Sequence, residues 1–230
     1  MVRAYIYLFP LFQAQGQLEK ALKLLEEGYK HNPENYDIVT AYGMLLSESG
    51  ELDRGIDMLQ KGLAMIDFDP RVWDLLGTAF WRKGDEQKAV EHYRKALSLD
   101  PNSAKIFSNL GALYFSKSMK TQDRTDYNQA MEYFKIAIGY DPNLVIAYRG
   151  LGLGYKAVGR VSDAVSVWEK ALTIDPSDDF INLNLGKAHL ERGEKASALE
   201  YFEHYLLLRK DSLSPQERLE IEALIQKCRK

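Results

Sequence analysis

The stretch YRGLGLGYKAVGR, Tyr148 to Arg160, carries glycines at positions 150, 152, 154 and 159. Closely spaced glycines are typical of loops whose free backbone N–H groups bind phosphate. Such a loop has to lie between a strand and a helix. This leaves two hypotheses for the stretch, a nucleotide site and a structural role in packing, and the rest of the sequence has to decide between them.

The residue types that most often carry catalysis or bind metal form no recognisable pattern in this sequence. The four histidines, at positions 31, 92, 189 and 204, have no partner at metal-ligand spacing, and His189 falls at an apolar position typical of a core histidine. No G-x-x-x-x-G-K-[ST], H-E-x-x-H or G-x-S-x-G motif occurs. Cys228 is the only cysteine, which excludes an internal disulfide and a cysteine-based zinc site. We therefore expect a protein that is not an enzyme and that has no cofactor and no metal.

Composition and charge restrict the class of partner. Lys and Arg number 30 and Asp and Glu 33, for a formal net charge of −3, which does not predict a nucleic-acid-binding protein. No apolar run reaches the roughly 18 residues of a membrane span. The start, MVRAYIYLFPLFQAQ, has the outline of a signal peptide, but a buried repeat helix is the favoured interpretation. The single cysteine fits a reducing compartment, and a cytoplasmic location is favoured.

Glycine spacing shows an internal repeat. One series runs through positions 43, 77, 111, 152 and 186 and a second through 16, 50, 84, 159 and 193, so both have a 34-residue period and one 7-residue insertion. A small residue recurs in the same register and is followed four positions later by a large apolar one. These pairs are Ala21 and Leu25, Gly55 and Leu59, Ala89 and Tyr93, Ala130 and Phe134, Ala164 and Trp168, and Ala198 and Phe202.

Each period predicts two helices separated by a glycine turn, because apolar residues recur at helical spacing in both halves. The predicted units are 2–35, 36–69, 70–103, 104–144, 145–178 and 179–212, followed by a capping helix over 215–229. The insertion in the fourth unit either lengthens both helices by about a turn or forms a loop near 117–126. Pro10 is expected to kink or break the first helix. Pairs of this kind must stack, because one pair cannot bury both of its faces.

The segment VWDLLGTAFWRKGDEQKAVEHYRKALSLDP, residues 72–101, carries the pattern Trp73, Leu76-Gly77, Phe80, Ala89, Tyr93, Ala96 and Pro101. This pattern and the period resemble the tetratricopeptide repeat family over about nine tenths of the chain. The resemblance implies an all-α fold, a right-handed α-solenoid (superhelix) of antiparallel helix pairs in a single domain over 1–230. It also implies a function, the binding of a protein or peptide in a concave groove lined by the first helix of each unit.

Carrying the family's groove positions onto this sequence predicts a set of peptide-binding residues. They are Arg71, Asp74, Trp81, Arg82, Lys105, Asn109, Phe115, Arg149, Lys156, Asn184 and Lys187. In units four to six the groove positions include four cations, Lys105, Arg149, Lys156 and Lys187, and one acid, Glu191. This excess of positive charge predicts an acidic ligand. Trp81 and Phe115 are interpreted either as apolar anchors for that ligand or as packing between adjacent units. The groove lacks the Lys/Asn clamp by which some family members bind a C-terminal carboxylate.

Three functions remain open on the sequence alone. The first is a non-catalytic scaffold that binds an acidic segment, with a partner of unknown identity. The second is the interaction module of a larger enzyme or multi-domain protein. The third is a structural protein that self-associates into a homo-oligomer through its terminal repeats. At Gly150, the question is whether the missing side chain leaves a bare notch in the groove, flanked by Arg149 and Lys156.

Overall fold

The computed structural model describes residues 2–230, and the prediction of an all-helical fold is confirmed over that range. Thirteen α-helices follow one another without an intervening strand in residues 2–230, and consecutive helices pack as antiparallel pairs. The helices are α1 Val2–Ala14, α2 Leu18–His31, α3 Tyr36–Ser49, α4 Leu52–Met65, α5 Pro70–Lys83, α6 Glu86–Leu99, α7 Ala104–Thr121, α8 Arg124–Tyr140, α9 Val145–Ala157, α10 Val161–Ile174, α11 Asp179–Glu191, α12 Lys195–Leu208 and α13 Pro215–Arg229.

The chain divides into two compact units, Met1–Ile106 and Phe107–Lys230. The first unit holds α1 to α6 and the start of α7, and the second holds the remainder of α7 and α8 to α13. Odd-numbered helices from α1 to α11 are the first helices of the predicted repeats, and the even-numbered helices that follow them are the second helices. The faces of the first helices therefore position the predicted binding residues.

Each helix pair is held together by a small residue of one helix that faces a large side chain of the other. A Cβ atom added at Gly77 of α5 would lie 2.6 Å from Cδ1 of Tyr93 in α6, and one at Gly186 of α11 would lie 2.6 Å from Cε1 of Phe202 in α12. Both aromatic side chains are fully buried. The two backbones can approach this closely only because no side chain separates them.

The 7-residue insertion lengthens both helices of the fourth pair. Helix α7 has 18 residues and α8 has 17, whereas α5 and α6 have 14 each. The turn between the helices of the other pairs contains a glycine with positive φ, such as Gly84 at 90°. In the fourth pair Gln122, with φ 59°, is the one non-glycine residue within 2–230 that has a positive φ. The first of the two alternatives for the insertion is thus the one observed.

The predicted break at Pro10 does not occur, since α1 continues through that residue to Ala14. Proline removes one N–H donor from the helix ladder, but the apolar face of α1 still packs. Tyr5 and Phe9 are buried in a cluster with Leu25 of α2 and Ile38 of α3. Tertiary packing of this kind outweighs the loss of one helical hydrogen bond.

The C-terminal helix α13 has the predicted capping structure. The Ser214 hydroxyl accepts a hydrogen bond from the Glu217 N–H at 3.2 Å, and the Glu217 carboxylate accepts one from the Ser214 N–H at 2.9 Å. This reciprocal pair is a capping box. Ile221, Ile225 and Cys228 are buried against α12, and burial raises the pKa of the Cys228 thiol. Cys228 is therefore a small apolar residue of the core, as predicted.

Two glycine-to-alanine substitutions should change stability in opposite directions. Gly77→Ala should lower the free energy of unfolding by about 1–3 kcal/mol, because the new methyl group would have to displace the buried ring of Tyr93. Gly139→Ala is the matched control, since no atom lies within 4 Å of its added Cβ, and it should stabilise α8 by up to about 1 kcal/mol. Urea unfolding followed by circular dichroism measures both effects, and equal shifts would contradict the packing argument.

Candidate functional site

The predicted binding residues all lie on first helices. The first unit carries Arg71, Asp74, Trp81 and Arg82 on α5 and Lys105 at the start of α7. The second unit carries Asn109 and Phe115 on α7, Arg149 and Lys156 on α9, and Asn184 and Lys187 on α11. The contacts of these side chains divide them into residues that hold the repeats together and residues that remain available to a partner.

Arg71 is bound to the start of its own helix. Asp69 caps α5 by accepting a hydrogen bond from the Arg71 N–H at 2.8 Å, and it pairs with the Arg71 guanidinium at 2.6 Å. The Tyr36 hydroxyl of α3 donates to the same carboxylate at 2.7 Å. The hydrogen bonds from Arg71, assisted by the one from Tyr36, lower the pKa of Asp69 to about 2 against the opposing effect of burial. Asp69 therefore links the first helices of two successive repeats.

Asp74 and Lys105 pair with each other. The Lys105 Nζ lies 3.0 Å from the Asp74 carboxylate, whose side chain is 4% exposed, whereas the lysine side chain is 67% exposed. The carboxylate is thus part of the interior and the ammonium group is solvated. This pair connects α5 to the first helix of the next repeat.

Arg82 stabilises the end of another helix. Its guanidinium donates to the carbonyl oxygen of Ser47 at 2.5 Å and to that of Glu48 at 3.4 Å. These carbonyls belong to the last turn of α3, where the Ser47 carbonyl also accepts a hydrogen bond from the Gly50 N–H at 3.3 Å. Arg82 therefore binds two carbonyl oxygens at the carboxyl end of α3. Trp81, the residue before it, is half-buried.

In the second unit, Arg149 is held by a buried aspartate. Its Nε and Nη2 both lie 2.7 Å from Oδ2 of Asp178, whose side chain is fully buried. Asp178 also caps α11 by accepting a hydrogen bond from the Ile181 N–H at 2.9 Å. The arrangement matches that of Asp69, because an N-cap aspartate again binds a side chain of the preceding first helix. Arg149 therefore joins α9 to α11.

The two predicted asparagines and Phe115 are half-buried on their helices. Asn184 donates from Nδ2 to the carbonyl oxygen of Phe180, one turn earlier in α11, at 2.8 Å. Phe180 in turn lies under the Arg149 guanidinium, with 5.4 Å between the guanidinium carbon and the ring centroid. Asn184 is thus engaged by its own helix, and the roles of Phe115 and Trp81 as ligand anchors stay predictions.

Lys156 and Lys187 differ from the other predicted cations. Neither lysine forms an ion pair within the described part of the chain. Burial lowers the pKa of Lys156; the carboxylate of Glu191 acts in the opposite direction, and the positive charge of Lys187 adds a smaller lowering effect. Lys156 is half-buried on α9 and Lys187 is exposed on α11. We call these two lysines the lysine pair; they form a cationic surface without an ion pair, and the carboxylate of Glu191 offsets only part of the cost of burying the Lys156 charge.

The glycine-rich stretch lies in α9 up to Ala157, where its first three glycines are packing positions, and Gly159, with φ 75°, forms the turn that follows. An added Cβ atom at Gly150 would overlap the ring of Phe134 in α8, one at Gly152 the indole of Trp168 in α10, and one at Gly154 the sulfur of Met131 in α8. Gly150 thus faces the neighbouring helix, and the notch that its missing side chain was expected to leave is filled by Phe134. The structural hypothesis for this stretch is therefore correct.

His189 has the environment expected of a core histidine. It is 6% exposed, its Nδ1 lies 2.5 Å from the Glu194 carboxylate, and its ring stacks on that of Tyr201. Within residues 2–230 no group of three or more His, Cys, Asp or Glu side chains is arranged to hold a metal ion. No helix in the same range has both the length and the apolar character needed to cross a membrane.

The first unit contains a cavity of about 360 Å³ that sequence reasoning did not find. It lies between α1, α3, α5 and the start of α7, and it is lined by the predicted residues Arg71, Asp74 and Lys105 together with Asp69 and Asp100. Asp69 and Asp100 each precede a proline, Pro70 and Pro101. Their position at the cavity was a missed signal, because a carboxylate at a repeat boundary also faces the first helices.

Comparisons with known proteins agree with this architecture. Models described as tetratricopeptide repeat match residues 12–78 and 149–215, and a model described as TPR repeat matches 77–118. BBSome complex member BBS4 of Bos taurus is 23% identical over 193 residues, which covers 84% of this chain and 36% of that protein. The chain thus spans little more than a third of the length of this relative.

Two solved structures share the fold. The structure of yeast Tom70 superposes with a TM-score of 0.77 at 15% identity and covers 100% of this chain and 47% of that one. YrrB, described as a TPR protein with an unusual peptide-binding site, has a TM-score of 0.55 at 19% identity, with 86% of this chain and 97% of that one covered. At these identities the likeness concerns the helical repeat fold alone.

Substitution of two cations on α9 should distinguish, by its effect on stability, a cation that holds the fold together from one that is available to a partner. Arg149→Met should lower the free energy of unfolding by about 1–3 kcal/mol, because it leaves the buried Asp178 carboxylate without its partner. Lys156→Met should raise it by up to about 1 kcal/mol, since the cost of burying this charge exceeds the attraction by Glu191. Thermal and urea unfolding at neutral pH measure both effects; a destabilising Lys156→Met would contradict the assignment.

Proposed function

The chain belongs to the tetratricopeptide repeat family, and from this premise we propose that it is a non-catalytic module that binds a protein or peptide segment on the faces of its first helices. We propose further that the segment is acidic where it meets the second unit. The observation that carries this proposal is the lysine pair, two neighbouring lysines on successive first helices without an ion-pair partner. A carboxylate brought by a partner would add to the counter-charge that Glu191 supplies.

The electrostatic cost of the lysine pair supports this interpretation. Lysine side chains on a protein surface ordinarily remain solvated at little cost, but burial lowers the pKa of Lys156 by more than the carboxylate of Glu191 raises it, and Lys187 lowers it further. An acidic ligand would neutralise Lys187 and stabilise the charged form of Lys156, which opposes the effect of burial on the pKa of Lys156. A carboxylate at this position would therefore form favourable contacts with both lysines in addition to that of Glu191.

The relatives support a protein-binding role without defining its partner. The bovine relative is a member of a complex, the BBSome, and the YrrB structure is described as having a peptide-binding site. Since the matching region is about a third of the bovine protein, the activities and partners of whole relatives are not assigned to this chain. The proposal for this chain depends on its own lysine pair.

The proposal predicts a charge-specific loss of binding. The probe is a short fluorescein-labelled peptide of alternating glutamate and leucine, and binding is measured by fluorescence anisotropy. The double variant Lys156→Glu, Lys187→Glu should weaken binding by about tenfold or more, because both attractive contacts become repulsive. Both positions lack ion-pair partners, so helix content should be unchanged.

The matched control is Lys135→Glu with Lys227→Glu. These exposed lysines lie on α8 and α13, and their reversal changes the net charge of the protein by the same amount. If the control weakens binding as strongly as the double variant, attraction by overall charge explains the binding and the proposal fails. Arg149 is unsuitable for this test, because reversing its charge would place a second carboxylate beside the buried Asp178.

A further inference from the structure

The cavity of the first unit is an apolar recess bounded by successive first helices. Its floor is formed by Ile6 and Phe9 of α1, Met44 of α3, Leu75 of α5 and Ile106 of α7. Phe9 and Ile106 are buried, and the other three side chains are partly buried. The volume of about 360 Å³ lies near the lower end of the ~300–1,000 Å³ that ligand pockets occupy. A recess of this size suits an inserted side chain better than a whole helix.

Carboxylates dominate the walls of this recess. Four aspartates line it, Asp37, Asp69, Asp74 and Asp100, against two cations, Arg71 and Lys105. The Asp69 and Asp74 side chains are 12% and 4% exposed, whereas those of Arg71 and Lys105 are 80% and 67% exposed. The cations therefore extend into solvent while the carboxylates remain at the wall.

The remaining two aspartates give the recess its net charge. Arg71 pairs with Asp69 and Lys105 with Asp74, whereas neither Asp37 nor Asp100 forms an ion pair within residues 2–230. Asp37 is exposed in the first turn of α3 and Asp100 is half-buried at the end of α6. The apolar floor is thus flanked by two carboxylates without an ion pair, although the guanidinium of Arg71 interacts electrostatically with Asp37 as well as with Asp69.

We propose that this cavity binds a protein segment in which an aliphatic or aromatic side chain lies next to an arginine or lysine. The apolar side chain would enter the floor between Phe9, Met44 and Leu75, and the cation would reach Asp37 or Asp100. Charge complementarity identifies the occupant, since an acidic segment would be repelled here. The site goes beyond the proposed function, because it lies in the other unit and selects the opposite charge.

The test uses three matched fluorescein-labelled peptides and the full chain. The peptides contain repeated Leu-Arg, Leu-Gln or Leu-Glu pairs separated by Gly-Ser, and binding is measured by fluorescence anisotropy at low salt. The Leu-Arg peptide should bind most tightly, and Asp37→Asn with Asp100→Asn should weaken it by about tenfold. Asp57→Asn with Asp211→Asn, two exposed positions outside the cavity, is the control with the same change of net charge and should leave binding unchanged.

A second variant tests the floor of the cavity. Met44→Lys places a cation in the recess and should also abolish Leu-Arg binding, with helix content checked by circular dichroism. Equal binding of the Leu-Gln and Leu-Arg peptides would overturn the proposal, as would Leu-Arg binding that survives the aspartate double variant. Self-association that disappears in that variant would assign the cavity to a second copy of the chain and would also overturn it. Each of the two proposals has its own peptide and its own variants, so they fail separately.

Discussion

The close approach of two helices within each repeat is the constraint on which the rest of this structure depends. It brings a glycine of one helix against a large side chain of the other, as in Gly43 against Leu59, Gly77 against Tyr93 and Gly152 against Trp168. Once a pair is closed in this way, the remaining apolar surface of each helix can be buried only against the next pair. The contact between the glycine and the large side chain therefore also determines which face of each first helix points away from its own pair.

The polar contacts between successive first helices follow from that arrangement. Two aspartates, Asp69 and Asp178, begin a first helix and bind a side chain of the preceding one, Tyr36 and Arg149 respectively. Because buried carboxylates are costly without a partner, the cations and hydroxyls nearest to them are committed to structure. A positive charge at a family groove position is thus available to a ligand only where no such carboxylate lies within reach. Lys156 and Lys187 meet this condition.

Much of the fold could be predicted from the sequence, because the 34-residue period is a direct consequence of stacking identical units. The glycine turns, the small-to-large pairs and the capping helix are local patterns, and the structure contains them. Contacts across repeats are different, because their partners are far apart in the chain: Arg82 binds the carbonyl of Ser47 and Arg149 binds Asp178. These partners decide which rotamer each long cation adopts. The predicted peptide-binding residues therefore include some, such as Arg82 and Arg149, that hold the fold together.

Gly150 shows the same limit at a single position. Its place among the groove residues suggested an open notch, whereas the direction of its missing side chain is toward Phe134 of α8. A shift of one position on a helix turns a residue by about 100°, and register alone does not tell whether that rotation ends in solvent or in a neighbouring ring. The continuous α1 at Pro10 is a further case, since packing of Tyr5 and Phe9 is not encoded locally.

The central claim is that Lys156 is a cation without an ion-pair partner, held in a position that favours an acidic ligand. NMR titration of the lysine side chains, labelled at Cε, measures this directly in the unbound protein and with the Glu-Leu peptide bound. The account predicts that the pKa of Lys156 lies below the ordinary lysine value of 10.5 and rises when the peptide binds. An ordinary pKa in the unbound protein, or a pKa that the peptide leaves unchanged, would contradict it.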